Sequence, residues 1–317
     1  MKVFELPEIN TLFVPSTFMR NNNIRPQNKK GLDRITKYIK SKKEPYTLFI
    51  WQYYTMNSNR WSSLKRSVEK ILKECTGLRI VMCCNDTNSL EIVSNESISS
   101  FSAILCNHNA TIDREIFNIQ ECNNIWNSVY TARVCKLKRH YLSYGLNNIL
   151  YLTSGNKYND KYSKEGHSAL IDNQNNSFTL CSQHLTAFEV NDLLNKSKVG
   201  LCLSSQEGAM YSSVEYLLCG LPIVSTKSTG GRDVFFTDTN CIIAEDSIES
   251  VSSCVQQWLD NYPNLNERKR IREHTICIQK KHTNILKDKL KEISNNIDID
   301  KLYKKKFINK MTISIEI

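Results

Sequence analysis

Two glutamates separated by seven residues, Glu207 and Glu215, stand in a stretch that holds five of the chain's ten glycines. It reads VGLCLSSQEGAMYSSVEYLLCGLPIVSTKSTGGRDVFF over 199–236. A sequence that otherwise avoids glycine places it where backbone must turn sharply or approach a ligand. Glu207 falls in a loop and Glu215 on the helix that follows, so both carboxylates reach one side of that turn. Ionised carboxylates are strong acceptors for hydroxyl donors such as those of a sugar. Gly208, Ala209, Met210 and Ser212, at the entry to the helix, offer backbone N–H groups and the positive end of a helix dipole. Gly230 and Gly231 offer the same from the next loop. The chemistry is binding of a ligand that carries both hydroxyls and negative charge.

Each feature also has a plainer reading. Ser212 and Glu215 spell an S-x-x-E capping box, which explains a glutamate there without a ligand. Gly220 and Pro222 are ordinary helix-stop residues, and Gly-Gly after a strand is often only a turn. Their weight comes from the ordered set. Arg133 directly follows an apolar run and needs an anion or open water. Lys136, Lys138, Arg139 and His140 read either as an anion-binding cluster or as a solvated helix face. His167 and His184 have no partner spacing and read as structural or exposed.

The elements that must position these residues alternate along the chain. Leu32, Ile35 and Ile39 mark a helix over 32–40, and Trp61, Leu64, Val68, Ile71, Leu72 and Cys75 a second one stopped by Gly77. YTLFIW (46–51), LRIVMCC (78–84) and FSAILC (101–106) read as strands buried on both faces, which argues for a parallel sheet covered by helices. The pattern restarts near residue 125. VYTAR (129–133), NILYLT (148–153), VGLCLSS (199–205) and LPIVST (221–226) are strands, with a basic helical segment between the first two. Thr186 and Glu189 open a helix as a capping box, and 212–219 is a short helix. From Glu267 the tail is basic, with Ile271, Ile278, Ile285 and Leu286 at helical or near-helical spacing. In a parallel sheet, the loops bearing Glu207 and Gly230-Gly231 open at the carboxyl ends of strands, where such sheets bind ligands.

Composition narrows the classes. With 317 residues, 40% of them hydrophobic and 23% charged, the chain can build one large or two ordinary domains and is not disordered. A net charge of +10 favours an anionic partner without choosing among a phosphate ligand, a nucleic acid and an acidic membrane. The twelve cysteines run from Cys75 to Cys277 without a CxxC, so they read as free thiols in a reducing compartment rather than as staples or zinc ligands. No apolar run is long enough to cross a bilayer or form a signal peptide, and the expectation is a cytoplasmic protein. The basic segment Lys29–Lys43 is a solvated face or a site of peripheral contact with anionic lipid. No nucleic acid is expected, because the basic stretches lack interleaved aromatics.

Glu-Gly, six residues, Glu, then CGLPIVST and Gly-Gly resembles the donor site of retaining glycosyltransferases with the GT-B fold, of the family 4 or "group 1" type. Glu207 and Glu215 match the glutamate pair, Gly220 and Pro222 the turn, and Gly230 and Gly231 the loop, over about residues 125–245. The resemblance implies that Glu215 binds the ribose of a nucleotide diphosphate sugar. Glu207 and its neighbouring backbone would hold the transferred hexose. Arg133 and Lys138 would hold the diphosphate, with Lys136 or Arg139 as substitutes for Lys138. His108, in ILCNHNAT, would be the first domain's contact with the donor sugar. A Gly-rich loop of the family is missing from the first domain, which is also short.

The expected architecture is therefore α/β, with two Rossmann-like domains facing across a cleft: 1–124 on the acceptor side, 125–265 for the donor, and a helical tail over 266–317 that packs back on the first. The expected activity is metal-independent transfer of a hexose to an acceptor hydroxyl with retention, without a cofactor. The acceptor is left open among a saccharide, a lipid-linked glycan and a peptide. The alternatives are a nucleotide-sugar-binding subunit without turnover and a nucleotide-sugar epimerase.

Overall fold

The computed structural model describes residues 3–19, 31–42, 44–153, 177–294, 297–304 and 307. His167 and, in the basic segment, Lys29 and Lys43 lie outside the described residues. The chain divides into two compact units, Met1–Thr111 with Gln279–Ile317, and Ile112–Ile278.

The division falls at Thr111 rather than near residue 125, for a physical reason. Residues 112–124 are sewn to the second unit: Asn118 and Gln120 donate their N–H groups to the Asn191 and Asn195 amide oxygens at 3.1 and 2.8 Å. Phe117 is buried in that unit's core. The tail is likewise not a separate segment. Its long helix begins in the second unit and ends in the first.

In the first unit, β1 (Phe4–Leu6), β2 (Thr11–Pro15), β3 (Thr47–Trp51), β4 (Arg79–Cys84) and β5 (Phe101–Leu105) form one sheet in that order, β1 antiparallel and the rest parallel. Between the parallel strands run α1 (Gly31–Lys40), α2 (Ser58–Glu74) and α3 (Thr87–Ser94). Side chains alternate across a strand, so each strand feeds two cores. Leu48, Ile50, Ile80 and Met82 meet the helices through Ile35, Leu64, Val68 and Ile71. Phe49, Trp51, Val81 and Cys83 point to the other face, covered by Leu286, Leu290, Ile299, Leu302 and Phe307. There Phe4, Phe13 and Phe49 stack at 4.6 Å intervals, with Phe307 edge-on to Phe4 and Phe13.

Among the described residues, the second unit has six parallel strands: β6 (Trp126–Thr131), β7 (Ile149–Leu152), β8 (Phe178–Cys181), β9 (Ser197–Cys202), β10 (Ile223–Thr226) and β11 (Cys241–Ala244). Their order is β11-β10-β9-β6-β7-β8. The chain starts at the centre, runs outward through β7 to β8, returns to the other side of β6 at β9, and runs outward again. That is the Rossmann order, and its direction reverses between β6 and β9, where such sheets open a ligand crevice. Packed with the sheet are α4 (Ala187–Asn195), α5 (Tyr211–Leu218), α6 (Ile248–Asp260) and the first half of α7 (Leu265–Ile293). The first unit's tail closes with α8 (Ile299–Tyr303).

Two local details set the site. The basic segment after β6 is not an α-helix but two 3-10 turns, Lys136–Lys138 and His140–Ser143, pivoting on Arg139 at φ 48. In β9, a Cβ on Gly200 would lie 2.4 Å from the Tyr216 ring, so only glycine lets that ring lie on the strand. All twelve cysteines are free thiols. Among the described residues no helix is long and apolar enough to cross a membrane.

Candidate functional site

The loops after β6 and β9 meet at the switch point through an ion pair between Lys138 and Glu207, each side chain 16% exposed. The Ser204 hydroxyl donates to the same Glu207 oxygen at 2.7 Å. The Tyr130 hydroxyl, at the end of β6, donates to the Lys138 carbonyl and holds that turn in place. Backbone bonds then zip the β9 loop to the β10 loop. Glu207 N–H donates to Thr229 (3.0 Å), Thr229 N–H to Ser205 (3.2 Å) and Gly231 N–H to Gly208 (2.8 Å). Gly230, at φ 109 and ψ −170, occupies a conformation that suits only glycine and lets the second loop close on the first.

Beneath both loops lies Arg232, fully buried. Its guanidinium donates to the carbonyls of Cys202 (2.9 Å), Ser204 (2.7 Å) and Thr226 (2.6 Å) and pairs with Asp233. Burial works against its charge, but Asp233 outweighs burial and keeps it cationic. Arg139 acts similarly from the side, donating to Leu203 O at 2.6 Å and pairing with Asp246. Fixed cations therefore underlie the carboxyl ends of β9 and β10.

Glu215 is placed differently. It lies on α5 three residues after Ser212, whose hydroxyl donates to the Thr131 carbonyl at 3.1 Å, so both share the helix face turned to the end of β6. Its side chain is half-buried and has no hydrogen-bond or ion-pair partner among the described residues. Burial pushes its pKa up to about 7. The capping-box reading of Ser212 and Glu215 is overturned: α5 starts at Tyr211 with Met210 as its cap, and the Ser212 hydroxyl is bonded to a different strand. By contrast, Thr186 and Glu189 do form a capping box on α4.

The second unit thus brings Lys138, Glu207, Gly208, Ala209, Met210, Ser212, Glu215, Gly230 and Gly231 onto the switch-point loops and the start of α5. Gly208 is buried, and the N–H groups of Gly208 and Ala209 have no acceptor among the described residues. Gly231 uses its N–H on Gly208, so it ties the loops together instead of presenting that donor outward. Arg133 is exposed just beyond β6, and Lys136 is exposed. Arg139 is held by Leu203 and Asp246, which leaves Lys138 as the lysine at the site. Sequence reasoning missed Arg232, because nothing local marks an arginine after Gly-Gly as buried.

His108 belongs to the first unit, where it is buried in a 3-10 turn after β5. Its N–H donates to Asn85 Oδ1 at 3.2 Å, within a run of buried amides at the ends of β3, β4 and β5. Asn85 N–H donates to Gln52 Oε1 (2.8 Å) and Asn107 Nδ2 to Asn85 O (2.9 Å). Asn107 N–H donates to the His282 ring (3.3 Å). Burial lowers the pKa of His282. Among the described residues, no group of three His, Cys, Asp or Glu side chains is placed to hold a metal.

Residues 137–276 match the family "Glycosyl transferases group 1". The matched segment is less than half of the chain; it contains Lys138, Glu207, Glu215 and the Gly-Gly loop but neither Arg133 nor His108. No curated protein matches the sequence significantly. Among solved structures, a glycosyltransferase from Rickettsia africae is similar at 12% identity and TM-score 0.58, over 87% of this chain and 84% of that one. Alr3699/HepE of Anabaena, in complex with UDP, is similar at 13% identity and TM-score 0.59, over 84% and 77%. The pneumococcal O-GlcNAc transferase GtfA, in complex with UDP and GlcNAc, is similar at 12% identity and TM-score 0.57, over 82% and 59%. The fold is that of the GT-B glycosyltransferases, with two Rossmann-like units.

Proposed function

We propose that the group 1 segment binds a nucleotide diphosphate sugar at the β6–β9 switch point and that the chain transfers the sugar to an acceptor hydroxyl. The observation that carries this reading is the meeting of Lys138 and Glu207 across the switch point, with Glu215, which has no partner among the described residues, on the helix that follows. Lys138 and the exposed Arg133 balance the diphosphate, and their charge stabilises the leaving group as its bond to the sugar breaks. Glu207 and the open N–H groups of Gly208 and Ala209 orient the sugar, while Glu215 accepts from the ribose hydroxyls. A hexose donor and retention at the anomeric carbon follow from the resemblance of the motif. With two lysine and arginine cations assigned to the diphosphate, the reaction proceeds without an essential metal.

UDP is the first nucleotide to test, since two similar structures hold it. A melting-temperature screen against UDP, GDP, ADP, dTDP and their sugars, with a divalent metal or with EDTA, reads base, sugar and metal dependence together. The expected result is a rise with one nucleotide family, kept in EDTA and reduced in Glu215→Ala. No rise with any nucleotide overturns the reading. Nucleotide release from the donor in the presence of acceptor separates a transferase from a binding subunit, which releases none, and from an epimerase, which converts the donor and releases none.

A further inference from the structure

Helix α5, which carries Glu215, has only eight residues, and a helix this short takes its place from whatever pins it. Its start has no side-chain cap. Toward β6 it is held through Thr131, whose carbonyl accepts from the Ser212 hydroxyl at 3.1 Å and whose N–H donates to the Tyr216 hydroxyl at 2.6 Å. At its other end Gly220, at φ 69, closes a Schellman turn: its N–H donates to Leu217 O and that of Leu221 to Tyr216 O, both at 3.0 Å. That turn leaves the carbonyls of Leu218, Cys219 and Gly220 with no donor from the helix itself.

Two arginines one turn apart on α7 take all three. Arg268 donates to Cys219 O at 2.9 Å and to Gly220 O at 3.3 Å. Arg272 donates to Leu218 O at 2.6 Å, and also to Phe117 O at 2.5 Å and Arg114 O at 2.7 Å. All of these residues belong to the second unit. A Cβ on Gly220 would lie 2.9 Å from the Arg268 Cβ and carbonyl oxygen, so α7 lies directly against the turn. Arg272 pairs with no carboxylate among the described residues, and burial lowers its pKa. The negative end of the α5 dipole stands in for the missing counter-charge. One guanidinium thereby ties α5 both to residues 114–117 and to α7, with a planar fork that an ammonium does not reproduce. Glu215 lies one turn before these carbonyls, and Cys219 N–H donates to its backbone oxygen at 3.1 Å. Its carboxylate has no partner of its own among the described residues, so its helix decides where it sits.

We propose that Arg268 and Arg272 are positioning residues for ligand binding: by fixing the end of α5 they hold the Glu215 carboxylate toward the end of β6, where it meets ribose hydroxyls. The ribose part rests on the donor reading; the fixing of Glu215 does not, and the test keeps the two apart.

The experiment compares the full chain with Arg272→Met, each with Glu215 and with Glu215→Gln. The first readout needs no ligand. In the parent, Glu215→Gln should raise the melting temperature at pH 8 by about 2–6 °C, because burial penalises the carboxylate there. With Arg272→Met the end of α5 is released and water reaches the carboxylate, so the same replacement should give less than half of that rise. The second readout is calorimetric affinity for UDP, GDP and ADP, each beside its 2′,3′-dideoxy analogue. A ribose held by a carboxylate should be preferred about tenfold or more. Arg272→Met should weaken the ribonucleotide while leaving the analogue within about twofold, so that most of the preference disappears. If Arg272→Met does not fold, Arg268→Met removes the bonds to Cys219 and Gly220, and the same two readouts apply. The proposal is overturned if Glu215→Gln gives the same rise with and without the arginine, if it gives no rise in the parent, or if ribonucleotide and analogue weaken equally. If no nucleotide binds the parent, the donor reading falls and the first readout alone decides the positioning.

Discussion

Replacing Glu215 by glutamine should move stability and ligand binding in opposite directions. A carboxyl whose pKa rises from 4.5 in the unfolded chain to about 7 in the fold holds a proton in the folded state that the unfolded state lacks between those values. Folding is therefore favoured below about pH 4.5 relative to alkaline pH, and stability falls as pH rises through that window. Above pH 7 the buried charge costs at most about 3 kcal/mol, nearer 1–2 once partial solvent contact is allowed for. Glu215→Gln removes that cost at pH 8 and changes little at pH 4.5. For a unit of this size the melting temperature should rise by about 2–6 °C at pH 8. Ribose hydroxyls, being donors, favour the ionised form, so donor binding should strengthen with pH up to about 7 and release up to one proton below it. The glutamine variant should lose that pH dependence and about 10- to 100-fold in affinity, the worth of hydrogen bonds to a charged acceptor. Calorimetric titration of the nucleotide in buffers of different ionisation enthalpy counts the released proton. A variant that melts lower at pH 8, or binds the donor as tightly and with the same pH profile, would refute the argument.

The other expectations concern what holds the loops. Arg232→Lys removes the planar fork that serves three carbonyls and should lower stability by about 2–4 kcal/mol, read by chemical unfolding; a loss under 1 kcal/mol would mean that the loops hold themselves. Gly200→Ala drives a methyl group into the Tyr216 ring and should cost about 1–3 kcal/mol. Pairing it with Tyr216→Leu should recover part of that loss, and strictly additive losses would show that the ring is not what the methyl meets.

Much of the architecture was legible because its signals are local. Glycine scarcity made the 200–231 cluster conspicuous, and the helical period of Trp61, Leu64, Val68 and Ile71 belongs to a helix packed on one face. The losses were long-range. β1 is three residues long, and its burial depends on Phe307 and Tyr303, about three hundred residues away, which no window along the chain reveals. The boundary was misplaced because the polar run at 121–124 looks like a linker, while Asn118 and Gln120 are fixed by amides on α4 some 75 positions later. The plainer S-x-x-E reading of Ser212 fails for a related reason. Its hydroxyl finds a carbonyl on β6, a partner 81 positions away, and tertiary contact overrides the local motif.

The Lys138–Glu207 pair connects the fold to the proposed chemistry. Both groups sit in partial burial, where a lone charge is costly, and each neutralises the other while the Ser204 hydroxyl supplies Glu207 with a further bond. A nucleotide sugar offers replacements for both at once, phosphate oxygens for the lysine and sugar hydroxyls for the glutamate. Exchange of partners leaves neither charge stranded, so the ligand need not meet the full desolvation cost of either group. A free phosphate replaces only the lysine's partner, and a free sugar only the glutamate's. The pair thereby favours a ligand that carries both functions in one molecule, and the reversal of strand order between β6 and β9 brings the two loops close enough to make it.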